Sequence, residues 1–512
     1  MVAQMDSHET QFYLKLFVKS SFFIFAAVII SKLFSYGYKI IIARSFGAET
    51  YGLFSLAIII ITIASSIATF GLYDGLVRFV SFYRGKRAFG HIRRLVLSSQ
   101  AIFIVTGLIC TALLIFFAPV IGDKIFHTDK FTPLFIGMAL ALPFLLLANL
   151  FLGVLRGFER IKTYSALINI YQNTAKFIIL GLLVLLGAGA ISISISYVVV
   201  FIGLFLISRY YARKDLNKMP LTKIPSRKEV MPEVLSYAWP LLFVGVLYSI
   251  FYWTDSLVLG YFTTAEHVGW YNAAITLISL FGIAPDLFMQ LFFPLISLKL
   301  SEDKKSLIKR LTQQVTKWIY ILNIPIFLLL FLFPEKLLEI LFGRDFTVGS
   351  SVLQILALGA LFSSVMGVST SLLSIKGRTK LVLMNFILFA TINLILDIIF
   401  VKSYGMIGAA FATMITQILF VVTAVFQVRN TYEFSPIKSK IGRLSFLAVA
   451  LLAVGLFLQS TFANNSLATI IGVSLILLAL YALGLHMFQI FDTEDKSIIQ
   501  SIVNKLSRRN NA

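Results

Sequence analysis

The chain has 512 residues, of which 59% are hydrophobic and 13% are charged. Because a soluble protein carries about 25% charged residues, this composition excludes a soluble globular protein and indicates a polytopic membrane protein. The formal net charge of +21 is spread over many short loops, which excludes the concentrated basic face of a nucleic-acid-binding protein. The single cysteine, Cys110, excludes an intramolecular disulfide and CxxC-type chemistry.

Fourteen apolar segments are long enough to cross a bilayer, which takes about 20 residues of helix. In chain order, the predicted membrane-spanning helices comprise residues 20–43, 51–80, 95–120, 132–155, 164–187, 190–210, 234–260, 268–298, 318–333, 350–375, 381–401, 405–428, 444–461 and 467–490.

The loops between these segments differ sharply in charge. With Arg78 and Arg209, which lie within the last three residues of their predicted spans, alternate loops and the two termini contain 35 of the 44 Lys and Arg residues, whereas the intervening loops contain six. Since positively charged loops stay on the cytoplasmic side, we expect a multi-pass protein of the cell membrane with both termini in the cytoplasm.

The sequence contains signs of an internal duplication. Ala48 matches Ala265 and Gly52 matches Gly269 at a separation of 217 residues, and later Asn173 matches Asn393 at a separation of 220. Chance agreement among small residues in apolar sequence is the alternative. A duplication of six helices gives two parallel repeats, and transporters built from such repeats bind their substrate between them.

The predicted fold class is therefore all-α, with about 14 membrane-spanning helices in two parallel six-helix lobes plus two C-terminal helices. The predicted parts are an N-lobe (1–213), a cytoplasmic inter-lobe linker (214–233), a C-lobe (234–430), helices 13 and 14 (431–490) and a cytoplasmic amphipathic tail (491–512).

The first predicted span contains two lysines. Lys32 and Lys39 are two helical turns apart, with Ser35 and Tyr36 between them on the same side. A charge at the bilayer centre costs about 3 kcal/mol or more unless it faces water or a partner. We therefore expect this side of the helix to face an aqueous cavity.

Other charges inside predicted spans are Lys176, Asp74, Arg78, Asp255, Asp286 and Asp397. Asp74 and Arg78 are four residues apart and are expected to pair. Under the duplication, Lys39 corresponds to a position beside Asp255, and Lys176 to a position beside Asp397.

Two interpretations of this correspondence remain. Either Lys39 and Asp255 neutralise each other, or the lysines and the aspartates bind different ligands. In the second case the lysines, with Arg78, bind an anionic substrate, while aspartates bind a cation or proton. The candidates for ion coupling are Asp74, Asp255, Asp286 and Asp397.

The sequence carries no pattern typical of an enzyme, a cofactor or a metal site. It lacks the G-x-x-x-x-G-K-[ST] loop of ATP-hydrolysing proteins, and its five histidines are not at metal-ligand spacing. The predicted external loops are also short for a membrane-embedded glycan polymerase or ligase.

Five segments have a recognisable pattern: ARSFGAETYGLFSLA from Ala43, FGLYDGLVRFVSFYRGKR from Phe70, FFPLIS from Phe292, LLEILFGRDF from Leu337 and LLSIKGRTK from Leu372. These segments resemble the polysaccharide flippases (Wzx-type) of the multidrug/oligosaccharidyl-lipid/polysaccharide (MOP) exporter superfamily. The resemblance implies translocation of an oligosaccharide on a polyprenyl (pyro)phosphate carrier to the outer leaflet, without a cofactor.

The resemblance also implies a cationic central cavity, for which this chain offers Lys32, Lys39 and Lys176, while Arg78 matches an Arg that often follows the family's FGL segment. The implied partners are the lipid-linked oligosaccharide, membrane lipids, H⁺ or Na⁺, and a glycan polymerase or ligase. The alternatives are an ion-coupled, MATE-like small-molecule exporter, a peptidoglycan-precursor flippase and a membrane enzyme.

Overall fold

The computed structural model describes residues 2–220, 222–302, 304–437, 439–461, 467–492 and 495. These described residues form helices joined by short connections and contain no strand, as the composition predicts. The α-helices are α1 Val2–Ala68, α2 Leu72–Gly85, α3 Phe89–Val120, α4 Phe131–Ala139, α5 Leu142–Gly157, α6 Ile161–Ser165, α7 Gln172–Leu185, α8 Ile191–Asn217, α9 Arg227–Phe262, α10 Ala265–Ile278, α11 Ile283–Ser301, α12 Lys305–Leu332, α13 Pro334–Phe342, α14 Ser350–Ser363, α15 Met366–Ile375, α16 Thr379–Tyr432, α17 Ser439–Thr461 and α18 Leu467–Met487.

Two of these helices are too long for one crossing and each contains a break. Helix α1 has non-helical backbone at Gly47, where φ is 80°, and α16 has it at Gly405, where φ is 56°. Glycine adopts positive φ without steric cost, so both breaks occur at the residue type that tolerates them. Each lies where the sequence predicts the boundary between two spans.

Within the described part of the chain, twelve helical stretches are long and apolar enough to cross a membrane. The stretches that contain Gly47 and Gly405 each cover two of the predicted spans. The protein is thus a multi-pass helical membrane protein, and the count of fourteen crossings stays a prediction.

The chain divides into two compact units. The N-terminal unit comprises Ala27–Asn272 and Asn393–Ala409, and the C-terminal unit comprises Met1–Ala26, Ala273–Ile392 and Ala410–Ala512. Helix α9 clusters with the N-terminal unit. The lobes and linker predicted from the sequence have different boundaries and stay a prediction.

In the N-terminal unit, the second part of α1 packs closely against the start of α10. A methyl group added to Gly52 would overlap the carbonyl oxygen of Ala265, and one added to Gly269 would overlap that of Ala48. The contact is reciprocal between positions that the duplication makes equivalent. Such self-complementary contact is what a two-fold axis produces, and it supports the internal repeat.

The connection between α8 and α9 is fastened to α3 within the same unit. Arg93 donates to the carbonyl oxygen of Met219 over 3.1 Å, and Arg94 Nε donates to that of Pro225 over 2.6 Å. Ser226 and Glu229 then form a capping box at the start of α9. Of the predicted inter-lobe linker, residues 218–220 and 222–226 are non-helical and have defined contacts, whereas its ends, 214–217 and 227–233, belong to α8 and α9.

The C-terminal unit holds a buried group of charges. The side chain of Lys317 in α12 is 1% exposed, and its ammonium lies 2.9 Å from Asp492 and 2.5 Å from Asp495. Trp318 Nε1 also donates to Asp495, over 2.7 Å. The amphipathic tail predicted over 491–512 lies outside the described residues, apart from positions 491, 492 and 495.

Substitution of Gly52 tests the close helix contact. We expect Gly52→Ala to lower the free energy of unfolding by about 1–3 kcal/mol, because the new methyl group must push backbone apart. Gly472→Ala in α18 is the matched control, since nothing lies within 4 Å of a methyl group there. The measurement is thermal unfolding in detergent, and equal melting temperatures for the two variants would contradict the contact.

Candidate functional site

The polar side of the first predicted span lies in α1, before the break at Gly47. Lys32, Ser35, Tyr36 and Lys39 are all half-buried there. Lys32 and Lys39 lie close enough for each ammonium group to act electrostatically on the other. Two like charges on one helix face repel each other and favour a bound anion.

A third lysine from another helix joins them. Lys176 in α7 is half-buried and interacts electrostatically with Lys39. Its Nζ lies 4.8 Å from the ring centroids of Tyr197 and Phe201 in α8. Aromatic faces attract a cation, so these rings hold Lys176 in place. We call Lys32, Lys39 and Lys176 the lysine cluster.

Hydrogen bonds fix the helices that carry the lysine cluster. Asn173 Nδ2 in α7 donates to Ser31 Oγ in α1 over 2.7 Å. The hydroxyls of Tyr38 and Ser196 lie 3.3 Å apart and connect α1 to α8. Three helices thus hold three ammonium groups at defined positions in a membrane-spanning unit, which is an arrangement that can bind an anion.

Two carboxyl groups form a second site in the same unit. Asp255 in α9 is 9% exposed, and Tyr271 Oη donates to its Oδ2 over 2.6 Å. Asp397 in α16 is fully buried, and among the described residues no group other than Asp255 is a hydrogen-bond partner of its carboxyl group. Asp255 is the acidic group that acts electrostatically on Asp397. We call Asp255 and Asp397 the carboxylate pair.

Two adjacent buried carboxylates cannot both stay ionised without compensation, because desolvation and mutual repulsion both oppose it. A shared proton or a bound cation supplies that compensation. Two amides accompany the pair. Asn393, also buried, precedes Asp397 by one helical turn, and Asn272 Nδ2 donates to Ser256 Oγ over 3.1 Å. Carboxylate and amide oxygens suit a hard cation.

The duplication relates the two sites. Lys39 and Lys176 interact in the first repeat, and the residues beside their equivalents, Asp255 and Asp397, interact in the second. Equivalent pairs of helices therefore meet in the two repeats. The pair in the first repeat carries ammonium groups at this position, and the pair in the second carries carboxyl groups. The direct pairing of Lys39 with Asp255 stays a prediction.

The remaining predicted site residues lie elsewhere. Asp74 and Arg78 are exposed on α2, and the Arg78 guanidinium lies 4.1 Å from the ring centroid of Tyr237 instead of pairing with Asp74. Asp74 acts electrostatically on Arg156. Asp286 is exposed in the first turn of α11, in the C-terminal unit.

Sequence reasoning missed the neutral partners of both sites. Tyr197 and Phe201 follow the alternating serines of ISISISY in α8, a polar pattern in an apolar span that could have drawn attention to this helix. Tyr271 carries no comparable signal, since a tyrosine in a predicted span is common and its contact with Asp255 comes from folding.

Comparison with known families decides the classification. The model of the polysaccharide biosynthesis protein family matches residues 17–299, more than half of the chain. The chain belongs to this family. A second family model, MatE, matches residues 240–399 of the same chain. The family resemblance predicted from the sequence is thereby confirmed.

The following relatives have low sequence identity to this chain, but the matches cover half of it or more. The chain is 27% identical over 262 residues to the probable low-salt glycan biosynthesis flippase Agl15 of Haloferax volcanii, covering 50% of this chain and 54% of that protein. It is 22% identical to a putative O-antigen transporter of Shigella flexneri, covering 74% and 89%. Among solved structures, the lipid II flippase MurJ, in an inward closed conformation, shares the fold with a TM-score of 0.67 at 18% identity, covering 91% of this chain and 98% of that one.

The Tyr271–Asp255 hydrogen bond can be tested by a single atom change. We expect Tyr271→Phe to lower the free energy of unfolding by about 1–3 kcal/mol, because a buried carboxyl group loses its donor. Tyr197→Phe is the matched control, since it removes a hydroxyl but keeps the ring beneath Lys176. Thermal unfolding in detergent measures both. A Tyr271→Phe melting temperature equal to that of the control would show that the bond does not stabilise the protein.

Proposed function

We propose that this protein is a flippase that moves a polyprenyl-(pyro)phosphate-linked oligosaccharide across the cytoplasmic membrane by alternating access, for surface polysaccharide or glycan assembly. Such translocation transports the lipid and makes or breaks no covalent bond, so the protein is not an enzyme. Relatives named as a glycan biosynthesis flippase and an O-antigen transporter support the substrate class.

The observation that carries the proposal is the lysine cluster within a membrane-spanning unit. Ammonium groups at this depth are costly unless they serve a ligand or a wet cavity. A lipid (pyro)phosphate supplies the matching negative charge, and lysine is a common phosphate ligand. The polyprenyl tail remains in the bilayer, because only the polar head group needs a path that avoids hydrocarbon.

The carboxylate pair is the proposed ion-coupling site. A cation or proton bound between Asp255 and Asp397 would compensate the buried charge that the described residues leave without a hydrogen bond. Binding and release of that ion on opposite sides of the membrane would give transport a direction. Because Tyr271 already donates to Asp255, Asp397 is the member on which the proposed ion would depend most, since no described residue other than Asp255 pairs with its carboxyl group.

The topology completes the proposal. The distribution of Lys and Arg supports a location in the cell membrane with both termini in the cytoplasm. The substrate would then be loaded from the cytoplasmic leaflet and released at the outer leaflet. A glycan polymerase or ligase acting there would consume the product and help to pull transport forward.

A MATE-like small-molecule exporter is the second candidate, favoured by the MatE match to residues 240–399. A cavity for cationic drugs needs negative charge, whereas α1 and α7 provide three lysines. This opposition in sign favours an anionic substrate. The fold shared with the lipid II flippase leaves a peptidoglycan precursor as a third candidate. Repeating the assay below with a fluorescent peptidoglycan precursor in place of the lipid-linked oligosaccharide separates this candidate from the proposed one.

The lysine cluster is tested in reconstituted vesicles with a fluorescent lipid-linked oligosaccharide. We expect Lys39→Ala and Lys176→Ala each to slow leaflet exchange about 10- to 100-fold, because each removes a charge-assisted contact to phosphate. Lys402→Ala, a predicted external lysine over the ring of Phe262, is the control and should retain the wild-type rate. Wild-type exchange rates in Lys32→Ala and Lys39→Ala would rule out a substrate role for this side of α1.

The carboxylate pair is tested through ligand-linked stability. We expect the melting temperature of the wild type to rise with added Na⁺ at fixed pH, or with falling pH if a proton is the ligand, since a ligand that binds only the folded state stabilises it. Asp397→Asn should abolish this dependence because it removes the charge that attracts the ion. Asp286→Asn is the matched control. An unchanged response in Asp397→Asn would exclude the pair as the coupling site.

A further inference from the structure

The helix that carries Lys176 has an irregular, polar segment before the lysine. Between α6 and α7, residues Ala166–Tyr171 form a π-helical turn. π-Helical turns inside α-helices are rare and frequently occur at functional sites. The polar side chains in and next to this turn are Ser165, Asn169, Tyr171, Gln172, Asn173 and Thr174. Because polar side chains in a membrane span are costly without a polar partner, this number of polar groups indicates a role other than helix packing.

Three of these residues are amides placed beside the lysine. Asn173 precedes Lys176 by three residues and Gln172 precedes it by four, so both lie one turn away on the side of Lys176. Asn169 lies a further turn back, within the π-helical segment. All four side chains are half-buried. A single helix therefore presents amide groups leading up to one ammonium group.

These amides keep most of their hydrogen-bonding capacity. Asn169 Nδ2 donates to Ser165 Oγ over 3.0 Å, and Asn173 Nδ2 donates to Ser31 Oγ over 2.7 Å. In the described part of the chain, the Gln172 amide makes no hydrogen bond to protein. Since each amide has two donor hydrogens and an oxygen with two lone pairs, donors and acceptors remain side by side at Asn169 and Gln172.

The chemistry of these groups differs from that of the lysine cluster. Ammonium groups only donate and select negative charge, whereas an amide donates and accepts, as does a sugar hydroxyl. The first sugar of a lipid-linked oligosaccharide is bonded directly to phosphate. One helical turn, about 5.4 Å, is therefore a suitable separation between a phosphate contact at Lys176 and a sugar contact at Gln172.

We propose that Asn169 and Gln172 form a sugar subsite, which hydrogen-bonds the hydroxyls of the sugars nearest the phosphate while the lysine cluster binds the phosphate. This inference rests on the proposed flippase function and deepens it. It assigns selection of glycan-loaded over empty carrier lipid to helix α6–α7. Asn173 acts differently, as a positioning residue that ties this helix to α1.

The subsite predicts a particular pattern of selectivity. A site built to hydrogen-bond hydroxyls discriminates against a ligand that lacks them, because its polar groups then stay unpaired. The double variant Asn169→Leu and Gln172→Leu should therefore bind the glycosylated carrier about tenfold more weakly, with the affinity for bare carrier changed less than about twofold. Lys176→Met should weaken both ligands by similar factors.

The experiment measures dissociation constants of the full-length protein in detergent. The probes are two short-chain polyprenyl diphosphates labelled on the lipid tail, one bare and one bearing a trisaccharide. The single variant Gln172→Leu should lose part of the preference for the glycosylated probe. Gln172→Asn, which keeps an amide, should retain more of that preference than Gln172→Leu does. Thermal unfolding of each variant confirms that it is folded before binding is measured.

The outcomes separate the subsite from the proposed function. If the wild type binds neither probe, the flippase proposal fails and the subsite fails with it. If the wild type binds both probes equally, or the double variant keeps the wild-type preference for the glycosylated probe, the subsite alone is wrong. Equal weakening of both probes by the double variant also contradicts a sugar subsite, because such weakening points to the phosphate contacts.

Discussion

The cost of holding charge inside a bilayer governs the organisation of this protein. Each ammonium or carboxylate group at mid-depth loses its hydration unless protein, water or a ligand replaces it. In the N-terminal unit, protein side chains replace part of this lost hydration. The rings of Tyr197 and Phe201 face Lys176, and Tyr271 supports Asp255. These contacts from neutral side chains hold the charged groups in position.

Duplication explains how two sites of opposite sign arise in one chain. Gly52 and Gly269 occupy equivalent positions and make reciprocal contacts, so the backbones of the repeats meet around a local two-fold relation. The same relation maps the interacting pair Lys39 and Lys176 of the first repeat onto positions beside the interacting pair Asp255 and Asp397 of the second. A duplicated backbone thus supplies the geometry twice, and substitution of a few side chains decides whether it attracts an anion or a cation.

The sequence predicts those features that arise from local or periodic patterns. Hydropathy predicts the all-α membrane fold, and the change of pattern near Gly47 and Gly405 predicts where the two longest helices break. Charge in a span identifies Lys39 and Asp397 as candidates. The sequence does not predict the rings beside Lys176 or the hydroxyl on Asp255, because these contacts depend on how consecutive helices rotate and pack against each other, which the hydropathy pattern does not specify. The π-helical turn before Gln172 is also invisible, since no residue type specifies it.

The two units differ in how their buried charged groups are compensated by other protein groups. In the C-terminal unit, buried Lys317 meets two carboxylates, and buried Lys299 lies 2.8 Å from Glu302. Those charges are compensated by protein, and in the fully buried Lys317–Asp495 pair the removal of one partner would leave the other unpaired at a cost of about 3–5 kcal/mol. Asp397 is equally buried, yet among the described residues only the carboxyl group of Asp255 is its partner, and no cation meets it. This difference in compensation is the reason for proposing that Asp397, and not the charges of the C-terminal unit, binds a cation or proton.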